Sequence, residues 1–283
     1  MNQKPTNPTR RRRGFSLLEL MLAVSIMSII VVALYGMFYQ VQRGLRANVT
    51  QVDVLEGSRA ALDILSRDVA AMGPCDRAWG TNLVGYISPA YWPPTLQVMA
   101  GGRSVRTNVL QEVAFLTRYG REFTALSYRV IEANNGVGVL ARYATNARPW
   151  EVDPTNLIAA ALNQPPRRFT PVLDGVIHFQ AVPYDAYGLP MIARPTNIYA
   201  PEVVLEPDFG GHTRYAFLSN ALPAYLEIEL GVLEPRTLEQ FKTFPRGSDR
   251  AKQFLAEHAG QVHLFRQRVP VRRGAGMRPV FSP

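Results

Sequence analysis

The chain has 283 residues, 47% hydrophobic and 19% charged, room for one large or two small domains besides any membrane segment. Its formal charge of +9 invites a nucleic-acid partner, but five of the 31 basic residues, Lys4 and Arg10 to Arg13, crowd the first fourteen positions. Without those five, 26 basic side chains face 22 acidic ones, and the main support for such a partner goes. Cys75 is the sole cysteine, which excludes a disulfide within the chain; it reads as a small packed residue, with a bridge between chains as the alternative.

The first element begins at Arg10-Arg11-Arg12-Arg13-Gly14-Phe15-Ser16-Leu17-Leu18-Glu19. From Leu20 to Tyr39 there is no charge, and between Phe15 and Tyr39 the only charged side chain is Glu19. Such a run spans a bilayer, and the basic flank puts residues 1–14 in the cytoplasm and everything after Tyr39 outside it. A carboxylate at the centre of a bilayer costs ~2.5–3.5 kcal/mol, and less near the interface, so Glu19 needs a reason to be there. In a plain signal anchor it would snorkel to the interface. A twin-arginine export signal fits worse, because the apolar run is too long and no A-x-A-like site follows it.

RRRRGFSLLEL resembles the class III signal of type IV pilins and type II secretion pseudopilins. The resemblance implies that a prepilin peptidase cuts between Gly14 and Phe15 and N-methylates the new amine of Phe15. It also implies that Glu19 serves assembly, its carboxylate pairing with the N-terminal amine of a neighbouring subunit in a fibre. The partners implied are the peptidase, other pilin-like subunits met through parallel N-terminal helices, and the bacterial inner membrane. The exported domain would face the periplasm, and no nucleic acid, cofactor or metal is expected. Elementary physics agrees with that role. Cleavage would set a cationic amine four residues, or ~6 Å, from the carboxylate along one helix axis. A neighbour shifted by about that much brings its cation beside this anion, and the attraction is strong in a low-dielectric layer.

Beyond Tyr39 the all-round apolar run becomes a one-sided stripe of Val41, Leu45, Val49, Val52, Leu55, Leu62, Leu65, Val69 and Met72, with Arg59 in its gap. Glu56/Arg59, Arg59/Asp63 and Asp63/Arg67 are spaced for same-face ion pairs. No proline intervenes until Gly73-Pro74. Phe15 to Met72 is therefore expected as one helix of ~87 Å, its first half in lipid and its second half on a globular domain. A coiled coil is the alternative for the second half.

Residues 74–112 are rich in glycine, proline and aromatics and read as an irregular connection. Strands are expected at 113–119, 125–131 and 137–143, the last two joined at Asn134-Asn135-Gly136, whose Asn-Gly favours a tight hairpin. A strand at 169–183, a loop over 188–213, a strand at 225–233 with Glu227 and Glu229 outward, a helix from Ser248 to Gly260 and a last strand at 263–272 follow. The fold class is α+β: a long N-terminal helix packed against an antiparallel sheet. The expected organisation is a cleaved leader at 1–14, a membrane half at 15–39, an amphipathic half at 40–72 and an exported domain at 73–283.

Three further segments resemble the J-type minor pseudopilin of type II secretion: GSRAALDILSRDVAAMG with Arg59, Arg67 and Asp68, LDGVIHFQAVPYDAYG at 173–188, and LPAYLEIEL at 222–230. That branch implies a low-abundance subunit near a fibre tip. A minor pilin of a type IV pilus, or a single-pass anchored binding protein, are the alternatives. No enzyme is expected. His178, His212, His258 and His263 are scattered, His258 and His263 lie off the H-E-x-x-H spacing, and no nucleophile elbow, P-loop or paired-cysteine motif occurs. Asp174, Asp185 and Asp208 read as solvated loop carboxylates rather than a calcium site. Asn48-Val49-Thr50 matches a glycosylation acceptor but falls on the expected helix.

Overall fold

A computed structural model of the chain describes residues 16–91, 94–98, 105–120, 122–148, 151–193, 199–207 and 212–271, without the side chains of 45–53, 98 and 119. The elements, in chain order, are α1 (Leu17–Ala70), β1 (Thr81–Ile87), β2 (Thr95–Val98), β3 (Val105–Asn108), β4 (Gln111–Tyr119), β5 (Glu122–Asn134), β6 (Val137–Ala147), α2 (Pro154–Leu162), β7 (Thr170–Tyr184), β8 (Val203–Pro207), β9 (Thr213–Leu218), β10 (Tyr225–Leu233), α3 (Pro235–Lys242), α4 (Asp249–Glu257) and β11 (Val262–Pro270). Two compact units result, one ending at Val49 and the other beginning at Thr50. In the first unit α1 exposes its large apolar side chains, as in Leu22, Ile29 and Phe38.

The second unit is built on a nine-stranded sheet in the order β11-β10-β7-β6-β5-β4-β1-β9-β8, and every neighbouring pair runs antiparallel. Alternation along β4 sorts its side chains to two faces. Val113 and Phe115 join the main core with Leu62, Leu65 and Val69 of α1, while Ala114 and Leu116 join Leu157 and Ile158 of α2. The face away from α1 is also covered near β7 and β10 by Leu238 of α3 and Leu255 of α4. The expected α+β architecture, with α1 packed on an antiparallel sheet, is therefore the one found.

The buried stripe of α1 differs in detail from the apolar periodicity. Val54, Ser58, Ala61, Leu62, Leu65, Val69 and Met72 are buried, so Ser58 fills the seven-residue gap and Arg59 points outward. Val41 is exposed, and among the described side chains the buried stripe begins at Val54. Of the three expected ion pairs, Asp63–Arg67 forms. Phe15 lies outside the described residues.

The connection expected over 74–112 in fact holds β1, β2 and β3, and the loop over 188–213 holds β8. The pattern of β1 is masked by Asn82 and Gly85 and by burial on both faces. A Cβ at Gly85 would stand 2.2 Å from the Tyr215 ring, so glycine there is a matter of space. β9, α2 and α3 are further elements that the sequence pattern does not predict, though α2 starts with Asp153 as N-cap, its side chain accepting from Thr155 N, and Pro154 behind it. The β5–β6 turn is as expected: Asn135 (φ 51°) and Gly136 (φ 87°) both take the left-handed conformation a type I′ hairpin needs.

Candidate assembly site at the start of α1

Ser16 sits at the N-cap of α1 and Glu19 three residues on, at N3. The Ser16 N–H donates to Glu19 Oε2 at 3.1 Å, and the Leu18 N–H donates to Ser16 Oγ at 3.3 Å. Ser-x-x-Glu before an apolar run is a capping box, in which side chains satisfy the orphan N–H groups of the first turn. The same four residues, Ser16 to Glu19, thus carry both a capping signal and the misplaced acid. The positive end of the helix dipole further favours a carboxylate at this position. Glu19 is exposed, and one backbone N–H and a partial dipole neutralise only part of a full charge. Gly14 and Phe15, the expected cleavage and methylation positions, lie outside the described residues.

After Glu19 the helix is apolar from every side. An 18-residue stretch within Leu17–Gly44 reaches a mean hydropathy of 2.6 with none of it buried in the chain, which makes this the one described helix long and apolar enough to cross a membrane. Its polar side chains satisfy themselves: Ser25 Oγ donates to Met21 O and Ser28 Oγ to Val24 O, each at 2.8 Å. With the backbone and both serine hydroxyls bonded internally, what Leu20–Leu34 turns outward is hydrocarbon, as lipid requires.

Within the second unit, α1 is fixed by a polar lock as well as by its stripe. Asp68 Oδ2 accepts from Tyr128 Oη at 2.5 Å and from Arg142 Nε at 2.6 Å, and Arg142 also reaches Oδ1 at 3.3 Å. Burial and the Asp68 carboxylate both push the Tyr128 hydroxyl up, so it stays a donor. Asp68 thus ties α1 to β5 and β6. Arg59 and Arg67, named with it in the J-type likeness, are exposed on the other side of α1. The other two likeness segments fall on β7 and β10, which are sheet neighbours.

The remaining chemistry-bearing residues are spread out. His178 is buried under β3, its Nδ1 accepting from Val109 N–H at 3.1 Å and its Nε2 lying 3.5 Å from Glu229. Desolvation pushes its pKa down, whereas contact with His178 and Arg266 holds the Glu229 carboxyl below its usual range. Glu227 and Glu229 do face away from α1, but each is matched by a cross-strand arginine, Arg268 at 2.9 Å and Arg266 at 2.8 Å. His258 stacks on Phe254 at 4.0 Å and His263 lies 3.1 Å from Glu234. Asp174 binds Lys242, and Asp185 Oδ1 accepts from the N–H groups of Tyr187 and Leu189; Asp208 lies outside the described residues. Among the described residues no group of three or more His, Cys, Asp or Glu could hold a metal ion.

The prokaryotic N-terminal methylation motif matches residues 9–35. No curated protein and no solved structure matches the chain. The chain carries a type IV pilin/pseudopilin-like prepilin signal, and that signal followed by the exposed apolar helix makes it a membrane-anchored, single-pass protein. The motif implies processing by a prepilin peptidase and assembly with pilin-like subunits.

Proposed function

We propose that this chain is a minor, non-catalytic subunit of a type II secretion or related pilus-like fibre, close to the J-type pseudopilin branch. The leader is cut between Gly14 and Phe15, Phe15 is N-methylated, and the second unit lies on the periplasmic side of the inner membrane. The observation that carries this reading is the methylation motif laid over a charge-free helix whose one acid, Glu19, stands at its first turn. Glu19 caps its own helix in the isolated chain and keeps most of its charge to be matched. A neighbouring subunit's N-terminal amine matches it in the fibre, so desolvation favours assembly over the lone subunit. The scattered histidines support a structural rather than a catalytic role for the second unit.

The test separates capping from charge pairing. Glu19→Ala should leave membrane insertion and folding intact and abolish incorporation into fibres. Glu19→Gln keeps an acceptor for the Ser16 N–H but loses the charge, and it too should fail to incorporate. Normal incorporation of Glu19→Gln would overturn the pairing role.

A further inference from the structure

The loop after α1 holds a tryptophan in a conformation that bulky side chains avoid. Trp79 has φ 61°, Asp76 has φ 55°, and Ser219, against which the loop folds, has φ 57°. A left-handed conformation is strained for non-glycine residues and persists only where the surroundings enforce it. They do so here through a knot of hydrogen bonds. The Trp79 N–H donates to Ser219 Oγ at 2.8 Å, and the Ser219 N–H donates to Gly80 O at 2.7 Å. The fully buried Asn82 then joins both sides, its Oδ1 accepting from Cys75 N–H at 2.7 Å and its Nδ2 donating to Ser219 O at 2.8 Å. The buried Cys75 completes the knot, its thiol donating to Ser219 O at 3.4 Å.

All this order holds an indole out in solvent: Trp79 is 64% exposed. Burying a tryptophan would have been the ordinary use of so large an apolar side chain. The charged residues just before it in the loop are already matched within the chain, Asp76 with Arg118 and Arg77 with Asp153. An exposed apolar knob on a loop whose charges are already matched suits a contact centre, and a rigid aromatic loses little entropy on docking.

We infer that Trp79 anchors a contact with an apolar pocket on another pilin-like subunit of the same fibre. The choice of occupant follows from size. A tryptophan buries only about 150–250 Å², against roughly 1,200–2,000 Å² for a stable free complex. So small a contact is useful when the partner is already tethered nearby, where effective concentrations reach about the millimolar range. Subunits joined through their N-terminal helices meet that condition, and a freely diffusing protein does not. This inference rests on the assembly reading and adds a second point of contact to it.

The test uses Trp79→Gly in the full chain. Glycine accepts φ 61° without strain, so the second unit should unfold at the same or a higher denaturant concentration, while incorporation into fibres falls roughly tenfold or more. A purely structural role for the indole gives the opposite result, lower stability with normal incorporation, and overturns the inference. A photo-crosslinking residue at position 79 should link, in fibre-forming cells, to a protein that mass spectrometry shows to carry an N-terminal methylation motif. Links only to lipid, to a secreted protein or to nothing overturn it as well. If Glu19→Ala abolishes incorporation and Trp79→Gly does not, the Trp79 contact falls alone; if neither matters, the assembly reading itself fails.

Discussion

One helix, α1, meets two kinds of surroundings. Over Leu20–Tyr39 the apolar side chains cover its whole circumference and stay exposed; from Val54 to Val69 they form a stripe that a sheet covers. A helix apolar on every side finds its complement in lipid or in other helices, whereas a striped helix finds it in its own domain. Partition of one element between an intermolecular and an intramolecular core follows from the angular spread of hydrophobic residues alone. The polar groups repeat the division: Glu19 caps the first turn and stays exposed, while Asp68 is tied to Tyr128 and Arg142.

Truncations on the two stretches should diverge most. Leu65→Ala removes a side chain that is 2% exposed, and urea unfolding of the full chain in detergent should show about 2–5 kcal/mol lost. Leu22→Ala should change the same transition by less than about 0.5 kcal/mol, since Leu22 is exposed. Equal losses at both positions would break the comparison. Next in size is Asp68→Ala, expected to cost about 1.5–3 kcal/mol by leaving Arg142 and Tyr128 without their acceptor. Gln or Asn in place of Glu19 should not move that transition.

A smaller effect follows from pH. His178 faces Glu229 of β10, Arg106 of β3 and Arg266 of β11, and desolvation lowers its pKa from 6.5. The unfolded chain takes up a proton below about pH 6.5 that the folded chain refuses, so stability should decline as pH falls through that range, by up to about 1.4 kcal/mol per pH unit. Glu112 opposes this: burial raises its carboxyl pKa above 4.5, so the folded chain binds that proton more readily as pH falls. Unfolding of His178→Gln between pH 7.5 and 5.5 should show a flatter, or reversed, dependence. Smallest of all, Ser16→Ala should remove one capping bond, worth about 0.5–2 kcal/mol to the first turn, and leave the second unit's unfolding unchanged.

How much of this could be read from sequence depended on whether neighbouring residues carried the signal. α1, the Asn135-Gly136 turn, β7 and β10 announce themselves locally, by periodicity, by a turn dipeptide or by strict alternation. β1 does not, because its glycine answers to Tyr215, more than a hundred residues away in sequence. β8 was hidden in a proline- and glycine-rich stretch, and β9, its hairpin partner, pairs non-locally with β1. At the assembly site, Glu19 was legible as a misplaced charge, and the capping box was written in the same four residues. The Trp79 knot was not legible at all, since it depends on Ser219 and Asn82 closing on a loop from outside it.

The most direct test of fibre-subunit processing is the mass of the mature chain purified from cells with an active prepilin peptidase. The expected N-terminus is N-methylated Phe15, with residues 1–14 absent. An intact chain beginning at Met1, or an unmethylated terminus elsewhere, would contradict the assignment of the signal and with it the role given to Glu19.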